Sequence, residues 1–412
     1  MASGEFEVTV STPAYGGDAV GRLADGRAVF VPFALPGEKL RIELVEEKER
    51  FARGRVLEVL EASRARILPR CRHFATCGGC HYQHLDYLEQ LTTKAEILRE
   101  QLIRIGRFAN PPVAAAVGSP SHWNYRNHVQ FHLSADGRLG FVGAQEGGTP
   151  ARIVPIQECH LPALSINALW PQISLDADAG IERLAVRSGS DNDLMLVLDS
   201  VVPEMPGVEI EASVSIAHVF DGDVLIQAGE DHLQMDVLGR SFRVSPTTFF
   251  QVNLGVAERM VEYLLELLPK PCGTVIDAYC GAGLFSAFLA PRCTRLIGIE
   301  ADAPACEDFA ANLDEFENVE LYEDTAEQAL PALVVDPDFV LVDPPRAGIG
   351  RTALDALIKL NPPLVAYVSC DPATLARDAR RFVEAGYRLE SVMPFDMFPQ
   401  TYHIESISVF MR

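Results

Sequence analysis

The chain has 412 residues, 48% of them hydrophobic, so it is long enough for two or three domains and too apolar to be disordered. Its formal net charge of -22 is unusual for a nucleic-acid enzyme, and nine unevenly spaced cysteines argue against a disulfide framework. No stretch approaches the ~20 apolar residues of a membrane span, and the start lacks the basic and apolar regions of a signal peptide. We therefore expect a cytoplasmic protein without membrane contact.

Residues 1–62 predict a small β-barrel. Apolar residues alternate in short runs such as Phe6-Glu-Val8, and turn signals such as Asp25-Gly26 separate the runs. Four or five short strands with tight turns suit the barrel of many oligonucleotide-binding modules. The segment Tyr15-Gly-Gly-Asp-Ala-Val-Gly-Arg22, with residues 29–38, resembles the TRAM domain, a β-barrel attached to several RNA-modifying enzymes.

The N-terminal part of the chain differs from the rest in charge. Residues 1–110 hold 16 Lys and Arg against 15 Asp and Glu, whereas the remainder is strongly acidic. A strip of arginines crowds a short span of this part: Arg50, Arg53, Arg55, Arg64, Arg66, Arg70 and Arg72. Such a strip is either a solvated face or the phosphate-contact surface of the chain.

Three cysteines fall within ten residues, in Cys71-Arg-His-Phe-Ala-Thr-Cys77-Gly-Gly-Cys80. Thiols at this density in a reducing compartment indicate a metal site far more often than packing. Cys159 is the only other cysteine before residue 272, which makes it the candidate fourth ligand. Spacing alone does not separate an iron–sulfur cluster from zinc, for which a nitrogen ligand would come from His73, His81 or His160.

The cysteine segment and a helix make up residues 63–110. One apolar stripe predicts this helix from Asp86 to Phe108. Residues 111–245 predict a strand-rich RNA-binding domain that covers the catalytic crevice and carries Cys159. One strand of this domain has a polar face, a pattern that is usually only solvated: Arg126, His128, Gln130 and His132.

Residues 246–412 alternate strands and helices, which predicts a doubly wound α/β sheet. The first strand ends in a glycine turn around Gly281, which lets a ligand approach the backbone. Glu300 ends the second strand, where it can accept ribose hydroxyls, and Asp324 follows the third strand, near an adenine edge. The turn lacks the third glycine of the dinucleotide fingerprint, which argues against NAD. The pattern looks like that of class I methyltransferases, which use S-adenosylmethionine.

Two later strands end in reactive groups. Asp343-Pro-Pro-Arg346 follows one buried strand, and Cys370-Asp-Pro follows the next. To methylate C5 of uracil, a thiolate must add at C6 and a base must remove the C5 proton. Cys370 is the candidate thiol, and Glu405, just before the last strand, is the candidate base.

Five segments together resemble the RNA uracil-5-methyltransferase family: Gln251-Val-Asn253, Asp277–Gly283, Asp343–Gly348, Ser369–Asp378 and His403-Ile-Glu405. The TRAM-like barrel and the four cysteines extend the resemblance over nearly the whole chain. The resemblance implies Cys370 as nucleophile and Glu405 as base. It implies a [4Fe-4S] cluster on Cys71, Cys77, Cys80 and Cys159, and S-adenosylmethionine near Gln251, Tyr279, Gly281, Glu300, Asp324 and Asp343.

The same resemblance implies that Phe249 stacks on a uracil flipped out of its RNA, because chemistry on a base requires extrusion. Leu284 is a departure, since members often carry a polar residue there.

RNA is the expected partner, and DNA is not. We expect 23S ribosomal RNA rather than transfer RNA, because relatives that act on transfer RNA in bacteria commonly lack both the barrel and the cysteine cluster. We also expect the chain to act as a monomer. Two other functions stay open: an exocyclic-amine methyltransferase, which would leave Cys370 and Glu405 without a task, and an RNA-binding protein with a decayed active site.

Overall fold

The computed structural model describes residues 4–144, 152–175 and 180–412. Residues 1–3, part of the start that was expected to lack a signal peptide, lie outside the described residues. In the described ranges, no helix has the length and apolar character needed to cross a membrane.

The N-terminal strands form a closed five-stranded barrel with the neighbour order β1-β2-β3-β5-β4, which confirms the predicted barrel. Its core is filled by the inward side chains of alternating positions, among them Val10, Val29 and Ile42. The strands are β1 (Glu5–Pro13), β2 (Asp18–Arg22), β3 (Ala28–Pro32), β4 (Lys39–Glu47) and β5 (Phe51–Glu61).

Helix α1 (Tyr87–Arg104) begins where the side chain of Asp86 accepts a hydrogen bond from the backbone N–H of Leu88 at 3.0 Å. It ends four residues before the predicted end, and Arg107 has a φ of 62° that no α-helix allows. The apolar stripe, which includes Ile97, Leu98 and Leu102, packs against one face of the C-terminal sheet domain.

The central domain contains a seven-stranded sheet with the order β14-β13-β11-β10-β6-β7-β8. A helix and a short two-stranded pairing of β9 with β12 accompany it. Its elements are β6 (His128–Leu133), β7 (Leu139–Val142), β8 (Ile153–Pro155), α2 (Leu164–Leu169), β9 (Ser174–Leu175), β10 (Ile181–Ser188), β11 (Leu194–Ser200), β12 (Val208–Glu209), β13 (Ser215–Phe220) and β14 (Asp223–Ala228).

The C-terminal domain is a doubly wound sheet with the order β19-β18-β17-β20-β21-β23-β22, as predicted. A hairpin and helix α3 precede the sheet: β15 (Leu233–Val237), β16 (Arg240–Val244) and α3 (Leu254–Leu267). The sheet and its helices are β17 (Thr274–Ala278), α4 (Leu284–Leu289), β18 (Arg295–Glu300), α5 (Ala303–Asn312), β19 (Val319–Glu323), α6 (Ala326–Ala332), β20 (Phe339–Val342), α7 (Arg351–Leu360), β21 (Leu364–Ser369), α8 (Pro372–Glu384), β22 (Arg388–Phe395) and β23 (Glu405–Met411).

The five strands from β17 to β21 are parallel, so their carboxyl ends meet at one edge of the sheet. Strand β23 runs antiparallel to β21 and therefore begins at that edge. The sequence does not predict β22, because its pairing with β23 shifts register between Leu389 and Ser391 and breaks the apolar alternation.

Candidate active site

Strand register brings Cys370 and Glu405 together. Ser369, the last residue of β21, pairs with Ser406 in the antiparallel strand β23. Cys370 directly follows Ser369, and Glu405 directly precedes Ser406. Both therefore lie at the same end of this strand pair. Asp343 directly follows β20, the other neighbour of β21, at the same edge.

Burial favours the uncharged forms of these groups. Glu405 is buried, and its burial, reinforced by Asp343, raises the pKa of its carboxyl well above the ordinary value. Burial, with Glu405 and Asp343 beside the thiol, raises the pKa of Cys370 to about 12. Asp343 has its own pKa raised to about 7, first by burial and then by Asp277 and Glu300. These groups therefore disfavour one another's charged forms.

Arg346 is the cation that opposes this effect. It lowers the pKa of both Cys370 and Glu405 electrostatically, although burial outweighs it at each group. Its guanidinium lies 3.4 Å from Nδ1 of His403, whose pKa is lowered to about 3 by burial and by Arg346. The structure thus gives Arg346 an electrostatic role beside the candidate nucleophile and base.

The predicted cofactor residues cluster around the glycine turn after β17. Glu300 holds this turn, because its Oε2 accepts the backbone N–H of Gly281 at 2.9 Å. Its Oε1 accepts the N–H groups of Ala301 and Asp302 at 2.8 and 2.9 Å. A Cβ placed on Gly281 would meet no atom within 4 Å, so the turn faces open space where a ligand can approach.

Tyr279 and Asp324 follow β17 and β19, so they lie at the same edge. Tyr279 has a left-handed φ of 65°, and its buried hydroxyl has no hydrogen-bond partner. Asp324 follows β19 and accepts the N–H of Thr325 at 2.7 Å. Gln251 is buried just before α3, and Leu284 is buried in the core at the start of α4.

A cavity of about 590 Å3 is lined by residues of the cysteine segment, the central domain and the C-terminal domain. Its lining includes Phe249, Arg346 and Phe398, and Phe249 is 71% exposed. The predicted polar face also lines the cavity, so it is not an ordinary solvated face: Arg126, which precedes β6, and His128, Gln130 and His132 of β6. The cavity is large enough to take a nucleotide, and an exposed aromatic ring in its lining can stack on a base.

The four predicted metal ligands also line this cavity: Cys71, Cys77, Cys80 and Cys159. All four are free thiols. The backbone N–H groups of His73 and Gly79 point to the sulfurs of Cys71 and Cys77, each at 3.4 Å, a contact that suits bound thiolates. In the part of the chain that the structure describes, no group of three or more His, Cys, Asp or Glu is arranged to hold a single metal ion.

The histidines considered as zinc ligands have other surroundings. Nε2 of His73 accepts the backbone N–H of Gln157 at 3.1 Å. The ring of His81 packs against Tyr402, with centroids 4.6 Å apart, away from the cavity lining. His160 lines the cavity, and its Nε2 lies 3.7 Å from Oε1 of Glu158. The donor set that shares one cavity is therefore the four thiols, with His73 and His160 at its rim.

Comparison with known proteins separates the possible methyltransferase classes. Residues 223–412 match the family described as tRNA (Uracil-5-)-methyltransferase, and residues 4–57 match the TRAM domain. An uncharacterized RNA methyltransferase of Streptomyces avermitilis is 32% identical over 430 residues, which cover 98% of each chain. One from Aquifex aeolicus is 33% identical and covers 99% of each chain. The chain belongs to the RNA uracil-5-methyltransferase family.

A solved structure supports the fold of this methyltransferase over its whole length. The tRNA (uracil-54, C5)-methyltransferase of Pyrococcus abyssi, in complex with S-adenosyl-L-homocysteine, superposes with a TM-score of 0.73 at 23% sequence identity. The match covers 98% of this chain and 100% of that chain. The barrel, the central domain and the doubly wound sheet are thus arranged as in a known fold.

Most of the arginine strip is engaged within the methyltransferase itself. Arg66 forms an ion pair with the buried carboxylate of Glu38 at 2.5 Å, and Arg53 pairs with Asp18 at 3.0 Å. Further members pair with acidic partners, Arg55 with Glu43 and Arg72 with Glu158. Arg70 lies over the ring of Trp123 at 5.4 Å. Because these partners neutralise them, the strip offers less charge for phosphate contact than the sequence suggests.

Helix α1 holds the loop that leads to Glu405. Lys94 is fully buried and donates to the carboxylate of Asp396 at 2.5 Å and to the carbonyl of Phe398 at 3.0 Å. The side chain of Gln90 accepts the N–H of Gln400 and donates to its Oε1, both at 3.0 Å. A lysine inside an apolar stripe is the signal that the sequence offers for this contact.

Proposed function

We propose that this enzyme methylates C5 of one uridine in RNA through a covalent bond between Cys370 and C6 of the uracil. The observation that carries the proposal is the register of β21 and β23, which supports a thiol and a carboxyl group at one strand end. C5 of uracil becomes nucleophilic only when a thiolate has added at C6, so a cysteine at this position is what the reaction needs.

The residues act in sequence on the flipped uracil. Phe249, which lines the cavity, stacks on the base. The thiolate of Cys370 adds to C6, the electrons of the C5–C6 bond form an enolate, and C5 takes the methyl group. Glu405 then removes the C5 proton as a carboxylate, the C5–C6 double bond re-forms, and the bond between C6 and the sulfur breaks.

Arg346 makes this sequence feasible at neutral pH. Burial raises the pKa of both Cys370 and Glu405 and so favours their protonated forms in the free protein. Arg346 favours the anion at both positions, and a cationic methyl donor would add to this effect. We infer that substrate binding shifts both groups further towards the anion.

S-adenosylmethionine, when bound, supplies the methyl group as a sulfonium. The turn around Gly281 leaves open space, and the hydroxyl of Tyr279 is buried without a partner, so both fit a ligand at this edge. Glu300 and Asp324 would hold the nucleoside of S-adenosylmethionine, and Asp343 and Gln251 would complete its binding site. The solved structure of the Pyrococcus abyssi relative contains S-adenosyl-L-homocysteine, which supports the assignment.

We also propose a [4Fe-4S] cluster on Cys71, Cys77, Cys80 and Cys159. Each thiolate of such a cluster binds a different iron, so the four sulfurs need not converge on one point as the ligands of zinc do. Protein purified without oxygen should contain about four irons. Cys159→Ser should lose this iron, whereas Cys293→Ser, outside the cavity, should keep it. One equivalent of zinc without iron after anaerobic reconstitution would contradict the cluster.

For the RNA, we propose 23S ribosomal RNA. A single-stranded segment inside folded ribosomal RNA requires additional contacts, which a barrel beside the cavity can supply. The likeness to the Pyrococcus abyssi enzyme favours transfer RNA as the second candidate, since the match extends over the full length of that enzyme and includes the barrel.

The purified methyltransferase, given labelled S-adenosylmethionine, distinguishes the two RNAs. Incubation with protein-free 23S rRNA should place label on a single uridine, and Cys370→Ala protein should place none. Label on the T-loop uridine of transfer RNA, with none on 23S rRNA, would reverse the choice of substrate. Label on an exocyclic amine would overturn the proposed reaction.

A further inference from the structure

One turn of the barrel contacts the segment that carries the candidate nucleophile. Tyr15 lies in the turn between β1 and β2, and its hydroxyl donates a hydrogen bond to Oδ2 of Asp371 at 2.9 Å. Asp371 directly follows Cys370 in the chain. The barrel, which the match to TRAM would assign only to RNA binding, therefore touches the catalytic loop.

Asp371 is the residue that fixes this loop. Its Oδ1 accepts the backbone N–H groups of Ala373 and Thr374 at 3.0 and 2.8 Å and so caps helix α8. The hydroxyl of Ser369 bonds to the backbone of Asp371 on the other side of Cys370. Both oxygens of the carboxylate are engaged, one by α8 and one by Tyr15, so the peptide that follows the thiol has one orientation.

Tyr15 is itself held in place. Its ring meets Tyr402 edge-on, with centroids 5.7 Å apart, and Tyr402 in turn contacts His81 and His403. Gly17 in the same turn has a φ of +96°, and a Cβ there would lie 3.1 Å from His81. Burial and Asp371 raise the pKa of the Tyr15 hydroxyl, so it remains a donor at every working pH.

We propose that Tyr15 is a positioning residue, through which the docked barrel sets the orientation of Cys370. The inference rests on the proposed role of Cys370 as nucleophile. Its consequence is that the barrel contributes to the rate of thiol addition as well as to RNA affinity. If the barrel moved away from this contact, Oδ1 of Asp371 would still cap α8, but Oδ2 would lose its hydrogen bond to Tyr15.

The test removes one hydroxyl group, that of Tyr15. Tyr15→Phe keeps the ring contact with Tyr402 and removes only the bond to Asp371. We expect the single-turnover rate of covalent adduct formation with 5-fluorouridine-containing RNA to fall about fivefold at saturating RNA, as the loss of one hydrogen bond predicts. The dissociation constant for RNA should stay within about twofold. The matched control is Tyr387→Phe, whose hydroxyl donates to the carbonyl of Pro362 at 3.0 Å at the opposite edge of the sheet; its rate should not change.

A second variant separates positioning from general destabilisation. Asp371→Asn keeps an oxygen that can cap α8 but loses the charge that strengthens the bond to Tyr15. Its rate should fall by a similar factor, and the double variant should fall no further than the slower single variant, because both remove the same contact. Additive losses would mean that the two residues act independently and would overturn the proposal.

Hydrogen–deuterium exchange gives a result that does not depend on the chemistry. In ligand-free Tyr15→Phe, the amides of residues 371 and 373–375 should exchange about fivefold faster, while the rest of the sheet is unchanged. Unchanged exchange and an unchanged adduct rate, or a loss of RNA affinity alone, would overturn the role of Tyr15. If wild-type protein formed no adduct, the role of Cys370 would fail, and the exchange result would still decide whether Tyr15 holds the loop.

Discussion

The candidate active site has thiols at two ends, the sheet edge with Cys370 and the cavity lined by the four other cysteines, but the chain positions them in different ways. Cys370 follows a buried strand, and the register of β21 with β23 places it beside Glu405. The four cysteines at the other end lie in segments without regular structure. Side-chain contacts join those segments, such as the bond from the N–H of Arg72 to Glu158 at 2.9 Å, next to Cys159.

This difference predicts what each end is sensitive to. Paired strands position the sheet edge, so substitutions of the groups that follow or begin them should change rates and leave the fold intact. The cysteine end depends on a bound group to fix it, so substitutions there should change metal content and stability first. Helix α1 connects the two ends through Lys94 and Gln90.

The largest effect should come from Cys370→Ala. Removing the thiol removes the covalent route, so methyl incorporation into RNA should fall by at least about a thousandfold. Cys293→Ala, in the same domain but outside the cavity, should retain wild-type activity. Both are measured by methyl incorporation under identical conditions, and binding of S-adenosylmethionine should persist in both. Substantial methylation by Cys370→Ala would place the nucleophile elsewhere.

Glu405→Gln should come next. The amide has the same shape but cannot accept the C5 proton, so turnover should fall by about a hundredfold or more. Methyl transfer should still occur, and methylated RNA should remain attached to Cys370, visible as a slow band in denaturing gels. Glu390→Gln, an exposed residue of β22, is the matched control. Normal turnover by Glu405→Gln would make Glu405 an ordinary buried carboxyl.

Lys94→Met tests the connection between the two ends. It leaves Asp396 buried without its cation, which should cost about 3–5 kcal/mol in the free energy of unfolding. The exposed pair Arg380 and Glu384 on α8 is the comparison, and Arg380→Met should cost about 0.5 kcal/mol or less. Denaturant titration measures both, and equal losses would show that the buried pair is not a structural connection.

The last prediction concerns the dependence of adduct formation on pH. Burial and the neighbouring carboxyls raise the pKa of Cys370 to about 12, so the thiolate fraction rises with pH throughout the neutral range. The rate of adduct formation should therefore rise by up to about tenfold for each pH unit between about pH 6 and 9. A rate independent of pH would mean that Cys370 is already ionised.

The sequence predicts the sheet edge well because local signals decide it. Apolar runs that end in Asp343 and Cys370 are buried parallel strands, and their carboxyl ends must meet. The barrel follows from alternation and turn residues in the same way. The cysteine segment is predicted by its density of thiols, although its arrangement in space is not.

Contacts between distant segments are what the sequence does not reveal. Tyr15 appears only as part of a turn motif, yet it bonds to Asp371, 356 positions away. The polar face of β6 looks in the sequence like a solvated face, yet it lines the cavity. The arginine strip looks free, yet carboxylates neutralise much of it. Each depends on which elements pack together, and periodicity does not encode that.

The measurement that tests the central claim most directly is the mapping of the covalent adduct. Wild-type protein, S-adenosylmethionine and RNA that contains 5-fluorouridine are incubated, digested and analysed by mass spectrometry. The account predicts one peptide, containing Cys370, that carries a methylated fluorouridine through its sulfur. An adduct on any other residue, or the absence of an adduct in a preparation that methylates normal RNA, would contradict it.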